Sequence, residues 1–138
     1  MTEEQIVRPE QVTRSPRKGA RNGRQHAAGR ADDEACCRIA AQLVAGHYDM
    51  ALVEVVGRAR RSHRATRARH MAMYLAHVVC GLSLAAVGAG FNRDRTTASY
   101  ACHKMEDARD DPAIDAALAD LEISAGVLLE LQSEEKRS

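Results

Sequence analysis

Large apolar side chains begin late in this chain. Residues 1–30 consist mainly of Arg, Gly, Pro, Gln and other polar or small residues, too little apolar surface to offset the entropy of ordering, so Met1 to about Arg30 is expected to be a flexible basic tail. From Asp32 a helical period sets in: the acids Asp32, Asp33 and Glu34 suit a helix N-terminus, and Cys36, Ile39, Leu43 and Val44 follow at helical spacing. The pattern predicts a first helix ending near Gly46, then a short one capped by Asp49, running through Leu52, Val53 and Val56 and closed by Gly57. Residues 57–70 have no apolar period and read as a loop. Beyond them Met71, Tyr74, Leu75 and Val78 fall at i, i+3, i+4 and i+7, while Ala72, Met73, Ala76 and Val79 make the other sides apolar too. A helix that is apolar all round is buried, and Gly81 ends it.

Two further helices follow in close succession. Ser83 can cap a short one whose Leu84, Val87 and Phe91 share a face, with Gly88, Ala89 and Gly90 small enough for a close crossing; after the turn at Asn92-Arg93, Asp94 caps another, whose inward stripe is Ala98, Ala101, Cys102 and Met105. A short helix, a tight turn and a second helix crossing it make a helix-turn-helix. Asp111-Pro112 then opens a last helix, with Ile114, Ala117, Leu118, Leu121, Ala125 and Leu128 on one face and acids on the other. The fold class is therefore all-α, a small helical bundle. Composition agrees: no Trp, one Phe and three Tyr beside abundant Ala, Val, Leu and Met favour packed helices over sheets.

Charge changes the picture. The formal net charge of +1 argues against a polyanionic partner only until it is resolved along the chain. Residues 1–31 carry +4, 32–57 −4, 58–105 +8 and 106–138 −7, so separate surfaces carry opposite signs. The densest block is the stretch 57–70, where Arg58, Arg60, Arg61, Arg64, Arg67 and Arg69 stand with His63 and His70 and without an acid. Arginines on such a loop can contact phosphates or enter a narrow minor groove. In the second helix of the helix-turn-helix, the inward stripe leaves Thr96, Tyr100 and His103 pointing outward, flanked by Thr97, Ser99 and Lys104. That face, all hydrogen-bonding groups and no acid before Glu106, suits a major groove, and Arg93, Asp94 and Arg95 would enter first. An ordinary surface helix with Asp94 merely capping is the plain alternative.

The residues Arg69-His-Met-Ala-Met-Tyr-Leu-Ala76, Ser83-Leu-Ala-Ala-Val-Gly88, Phe91, Arg93-Asp-Arg-Thr-Thr97 and Ala101-Cys-His-Lys-Met-Glu106 together resemble the C-terminal DNA-binding domain, domain IV, of the bacterial replication initiator DnaA, over roughly Ala35 to Asp107. The resemblance implies an all-helical reader of double-stranded DNA. It assigns Arg61 to the minor groove, Arg69 to the start of the buried helix, Asp94, Thr96 and Thr97 to base and backbone contacts, and Lys104 to the later part of the recognition helix. Departures stand where DNA is read: Arg95 replaces a His, His70 a Gln and Tyr100 a His, and Asn92 replaces a Gly-Gly pair in a turn one residue shorter. The initiator's own box is therefore not the expected target. No G-x-x-x-x-G-K-[ST] loop occurs in the chain, so no nucleotide cradle is expected, and the acidic last helix lies beyond the family domain.

These readings divide the chain into a disordered tail (1–31), the helix-turn-helix domain (32–110), an acidic amphipathic helix (111–132) and a frayed end (133–138). They predict a sequence-specific DNA-binding protein, a transcriptional regulator or else a modulator of replication initiation at origin-like sites. The tail would add weak attraction to phosphate or serve as a mere solubilising leader. A different class, an interaction module or homodimer working through the last helix, competes with it; that helix can also pack on its own domain, or fold against the arginine run and compete with DNA. Cys36, Cys37, Cys80 and Cys102 show no C-x-x-C spacing and no zinc pattern, and neither Ser-His-Asp nor Cys-His groupings are legible. No enzyme activity, cofactor or metal is expected. With no leader, no membrane span and reduced thiols, the protein is expected in the cytoplasm, on the nucleoid.

Overall fold

The computed structural model describes residues 18–57 and 62–137. Among these residues there are six helices and no strand: α1 (Lys18–Tyr48), α2 (Leu52–Val56), α3 (His63–Cys80), α4 (Leu84–Gly90), α5 (Arg95–Ala108) and α6 (Pro112–Arg137). The chain divides into two units, residues 1–32 and 33–138. Of the first, the described part is helical backbone from Lys18, where a flexible tail was expected up to Arg30; residues 1–17 lie outside the described residues.

In the second unit α3 is the axis. Six consecutive residues, Met71 to Ala76, are buried together with Ala65 and Ala68, and α2, α4, α5 and α6 all pack on this helix. The same core cluster takes Cys37, Ala40, Ala41, Val44 and Ala45 from α1, Val87 from α4, the stripe Ala98, Ala101, Cys102 and Met105 from α5, and Leu118, Leu121 and Ala125 from α6. Alanines bring the helices close and Met71, Met73 and Met105 fill the irregular space between them, each fully buried methionine being worth ~1.5–3 kcal/mol.

The helix ends follow local chemistry. Ser62 and Ser83 accept from the backbone N–H groups of Ala65 and Ala86, at 3.1 and 3.0 Å. Gly81 leaves α3 in the left-handed region at φ 71°. Asp49 does not cap α2 as expected: at φ 56° it ends α1. The bonds Met50 N–H to Ala45 O (3.0 Å) and Asp49 N–H to Gly46 O (3.2 Å) close a Schellman turn, and α2 starts instead at Ala51, whose N–H donates to Glu54. Asn92 repeats the device after α4. At φ 59° it supports Arg93 N–H to Gly88 O (2.7 Å) and Asn92 N–H to Ala89 O (3.1 Å), so one asparagine does what glycine does elsewhere. The turn folds over Gly88, where a Cβ would stand 2.7 Å from the Arg93 carbonyl oxygen.

Two further boundaries differ from the expected ones. α3 starts eight residues before Met71, at His63, because Ser62 caps it and Arg64, Ala65, Arg67 and Ala68 all favour helix. α6 continues to Arg137, into the segment 133–138 expected to fray, through Glu130, Leu131, Gln132, Glu134, Glu135 and Lys136, which are also helix formers.

Candidate nucleic-acid interface

The arginine run is not one loop. Arg58, Arg60 and Arg61 lie outside the described residues, whereas Arg64, Arg67 and Arg69 are on α3. Helical geometry then separates their roles. Arg64 and Arg67 are exposed; Arg64 donates to the Tyr48 carbonyl oxygen and lies over the Tyr48 ring, 5.7 Å from its centroid, which ties the first turn of α3 to the end of α1.

Arg69, expected to meet phosphate, is only 3% exposed. Its Nε donates to Val55 O at 2.9 Å and its Nη2 to Glu54 O at 3.0 Å. A five-residue helix leaves its last carbonyls without intrahelical partners, and Arg69 supplies them. Arg93, also expected at the DNA, is half-buried and donates to the carbonyls of Phe91 (2.8 Å), Gly57 (2.7 Å) and Val56 (3.4 Å). Arg69 holds the end of α2 to α3 and Arg93 holds it to the turn of the helix-turn-helix, and charge in the sequence carries no sign of that, since the acceptors are backbone groups.

The outward face of α5 is as the spacing predicts. Arg95, Thr96, Tyr100, His103 and Lys104 are exposed, and Thr97 and Ser99 half-buried. Asp94 caps the helix, accepting from the Thr97 N–H at 2.8 Å; this backbone bond, then the Thr97 hydroxyl, hold its carboxyl below the usual range, with a smaller contribution from the Thr96 N–H. His103 Nδ1 lies 2.9 Å from Ser99 O within the helix.

α3 and α5 meet at this face. The His70 ring lies edge-on to Tyr100, with centroids 5.7 Å apart and planes at 79°, and the Lys104 ammonium lies 5.9 Å from the Tyr100 centroid. Burial lowers the His70 pKa below its ordinary value of 6.5, and the charges of Arg69, Lys104 and Arg67 lower it further. His70 is thus a neutral imidazole at pH 7 inside a ring of cations. Arg67, His70, Tyr100 and Lys104 form one electropositive patch that continues the row of Thr96 and Thr97.

A second polar cluster lies between α3, α5 and α6, and no sequence spacing signalled it. Tyr74 donates to Glu106 at 2.9 Å and accepts from Arg109 at 3.1 Å, while Arg109 pairs with Asp115 at 2.5 Å and Glu122 at 2.6 Å. It fastens the acidic helix to its own domain. Among the described residues no three His, Cys, Asp or Glu side chains are grouped to hold a metal ion, and no helix is long and apolar enough to cross a membrane. Burial pushes the Cys37 and Cys102 thiols up to about 12, so neither is a thiolate nucleophile at pH 7.

A family model for the bacterial DnaA protein helix-turn-helix matches residues 39–105. It spans the last third of α1 through the stripe residue Met105 and leaves α6 outside. No solved structure matches the chain.

Proposed function

Residues 39–105 belong to the bacterial DnaA C-terminal helix-turn-helix family, a DNA-binding domain, and from that premise we propose that this protein binds double-stranded DNA with sequence specificity and acts as a regulator of transcription. The observation that carries the reading is the outward face of α5, where exposed hydroxyl, imidazole and ammonium groups run without an acid between Asp94 and Glu106. Such a face matches the donor and acceptor pattern of the major groove. Arg95, Thr96 and Thr97 read base edges at the start of the helix, and Lys104, Arg67 and Arg64 contact phosphate. Arg58, Arg60 and Arg61 supply the backbone or minor-groove contacts. Asp94 serves as the cap, and Arg69 and Arg93 act from within the fold.

Selection from a random duplex pool tests this. An enriched motif is expected, with Thr97→Ala relaxing the sequence preference and Arg61→Ala or Lys104→Ala weakening all sequences alike and flattening the salt dependence. Unchanged binding in all three variants, with intact helical spectra, would sink the reading. A genome-wide footprint then separates promoter sites from the alternative, occupation of origin-like sites that modulates replication initiation.

One observation favours a second activity, protein interaction or homodimerisation through the last helix. Ile123, Val127 and Leu131 form an i, i+4, i+8 row on α6 and are 67%, 51% and 58% exposed, a contiguous apolar strip of the kind that docks a partner. Sedimentation of the wild type against Val127→Asn distinguishes a dimer from a monomer.

A further inference from the structure

We propose that Tyr100, braced by His70 and Lys104, is a specificity residue that reads a thymine through its C5-methyl group. This rests on the DNA-binding reading above and deepens it. Tyr100 differs from the other side chains on the outward face of α5 in carrying a large apolar surface, its ring, beside the hydroxyl, and it is 56% exposed. It lies one turn beyond Thr96 and Thr97, at i+4 and i+3, so it continues their row on the same side of the helix. Its ring is also fixed from two directions, by the edge contact with His70 at 5.7 Å and by the Lys104 ammonium at 5.9 Å.

An exposed aromatic ring held in place loses little conformational freedom on binding. The apolar group that projects from the base edges into the major groove is the thymine methyl; the other groups that identify a base there are hydrogen-bond donors and acceptors. A tyrosine also reaches further than a threonine, so a base remains accessible to it from the second turn of the helix. His70 acts as a positioning residue from α3. The two rings thus touch one another across α3 and α5 and form one unit.

The experiment starts from a duplex enriched out of a random pool by the wild-type protein and replaces each thymidine in turn by deoxyuridine, which removes only the methyl group. At one position wild type is expected to lose about fourfold in affinity, the worth of one buried methyl-sized group, and Tyr100→Phe to lose the same. Tyr100→Ala should bind the thymidine and deoxyuridine duplexes equally, while Thr97→Ala keeps the difference. His70→Ala should reduce it. Wild type indifferent to every replacement overturns the proposal, as does a Tyr100→Ala variant that keeps the methyl dependence. If Tyr100→Phe loses the dependence together with Tyr100→Ala, the hydroxyl makes the contact and the proposal fails. A pool from which nothing is enriched refutes the DNA reading itself, a separate result from an enriched duplex without a methyl effect.

Discussion

α5 and α6 both lie along α3, and inward they look alike: α5 buries Ala98, Ala101, Cys102 and Met105, and α6 buries Leu118, Leu121 and Ala125. Outward they differ. α5 shows threonines, a tyrosine, a histidine and a lysine, whereas α6 shows Asp115, Asp120, Glu130, Glu134 and Glu135 with the apolar row Ile123, Val127 and Leu131 between them. The inward stripe decides where a helix packs, and the outward side decides what the domain can hold. A phosphate backbone is attracted by the first surface and repelled by the second. The family match ends at Met105 and the acidic surface lies beyond the matched residues.

The largest expected effect tests whether α6 is a full member of the core. Met105 is 2% exposed and Leu118 is fully buried, so Met105→Ala and Leu118→Ala should each cost ~2–5 kcal/mol of unfolding free energy in urea titrations. A Leu118→Ala loss well under ~1 kcal/mol would mean that α6 is a detachable appendage. The two helices would then be unlike inward as well.

The glycines give a smaller contrast of opposite sign. At Gly88 an added Cβ would stand 2.7 Å from the Arg93 carbonyl oxygen and 2.9 Å from that of Asp94, while at Gly126 in α6 it would meet nothing within 4 Å. Gly88→Ala should therefore destabilise the domain by ~1–3 kcal/mol, because backbone must move, and weaken DNA binding with it. Gly126→Ala should stabilise by ~0.5–1 kcal/mol through helix propensity alone. Thermal midpoints moving in opposite directions are the readout, and equal shifts would remove the distinction.

These pairs also show where the sequence was informative. The stripes of α3, α5 and α6 were legible because burial imposes a period on side-chain type, although Val78 and Leu128, read as inward members, are 44% and 40% exposed; the caps Ser83 and Asp94 were legible because capping needs a particular oxygen at a particular place. Asp49 was misread as a cap because aspartate suits two roles, capping a following helix and tolerating the left-handed end of a preceding one. Arg69 and Arg93 were read as surface charges because their acceptors are backbone carbonyls, which have no signature in sequence. The contact of His70 with Tyr100 joins residues thirty apart on different helices, and only packing brings it about.

Electrostatics offers the next contrast. Lys104 on α5 and Glu130 on α6 are both exposed, so neither substitution should alter stability by more than ~0.5 kcal/mol. Their effects on DNA should diverge. Lys104→Ala should lower the slope of log affinity against log salt by about 1, and Glu130→Gln should leave the slope unchanged. Equal slopes for both would mean that DNA does not approach the α5 face.

The smallest effect concerns His70, which has no counterpart on α6. Burial, followed by the charges of Arg69, Lys104 and Arg67, lowers its pKa in the folded chain from the ordinary 6.5. As pH falls through about 6.5, the unfolded chain takes up this proton before the folded one does. The neutral ring's contribution to stability is thus complete above that pH and is lost as pH falls through the lower folded value. His70→Gln removes the titration, so its urea midpoint should fall less than that of wild type between about pH 7.5 and 5. DNA would add a second pH term of opposite sign: phosphates placed beside Arg67 and Lys104 offset the cations that disfavour the protonated ring, and the His70 pKa should rise on binding. Parallel pH profiles for wild type and His70→Gln, in the free protein, would show that the cations around Tyr100 do not reach the imidazole. The patch joining α3 to α5 would then be a contact of rings alone.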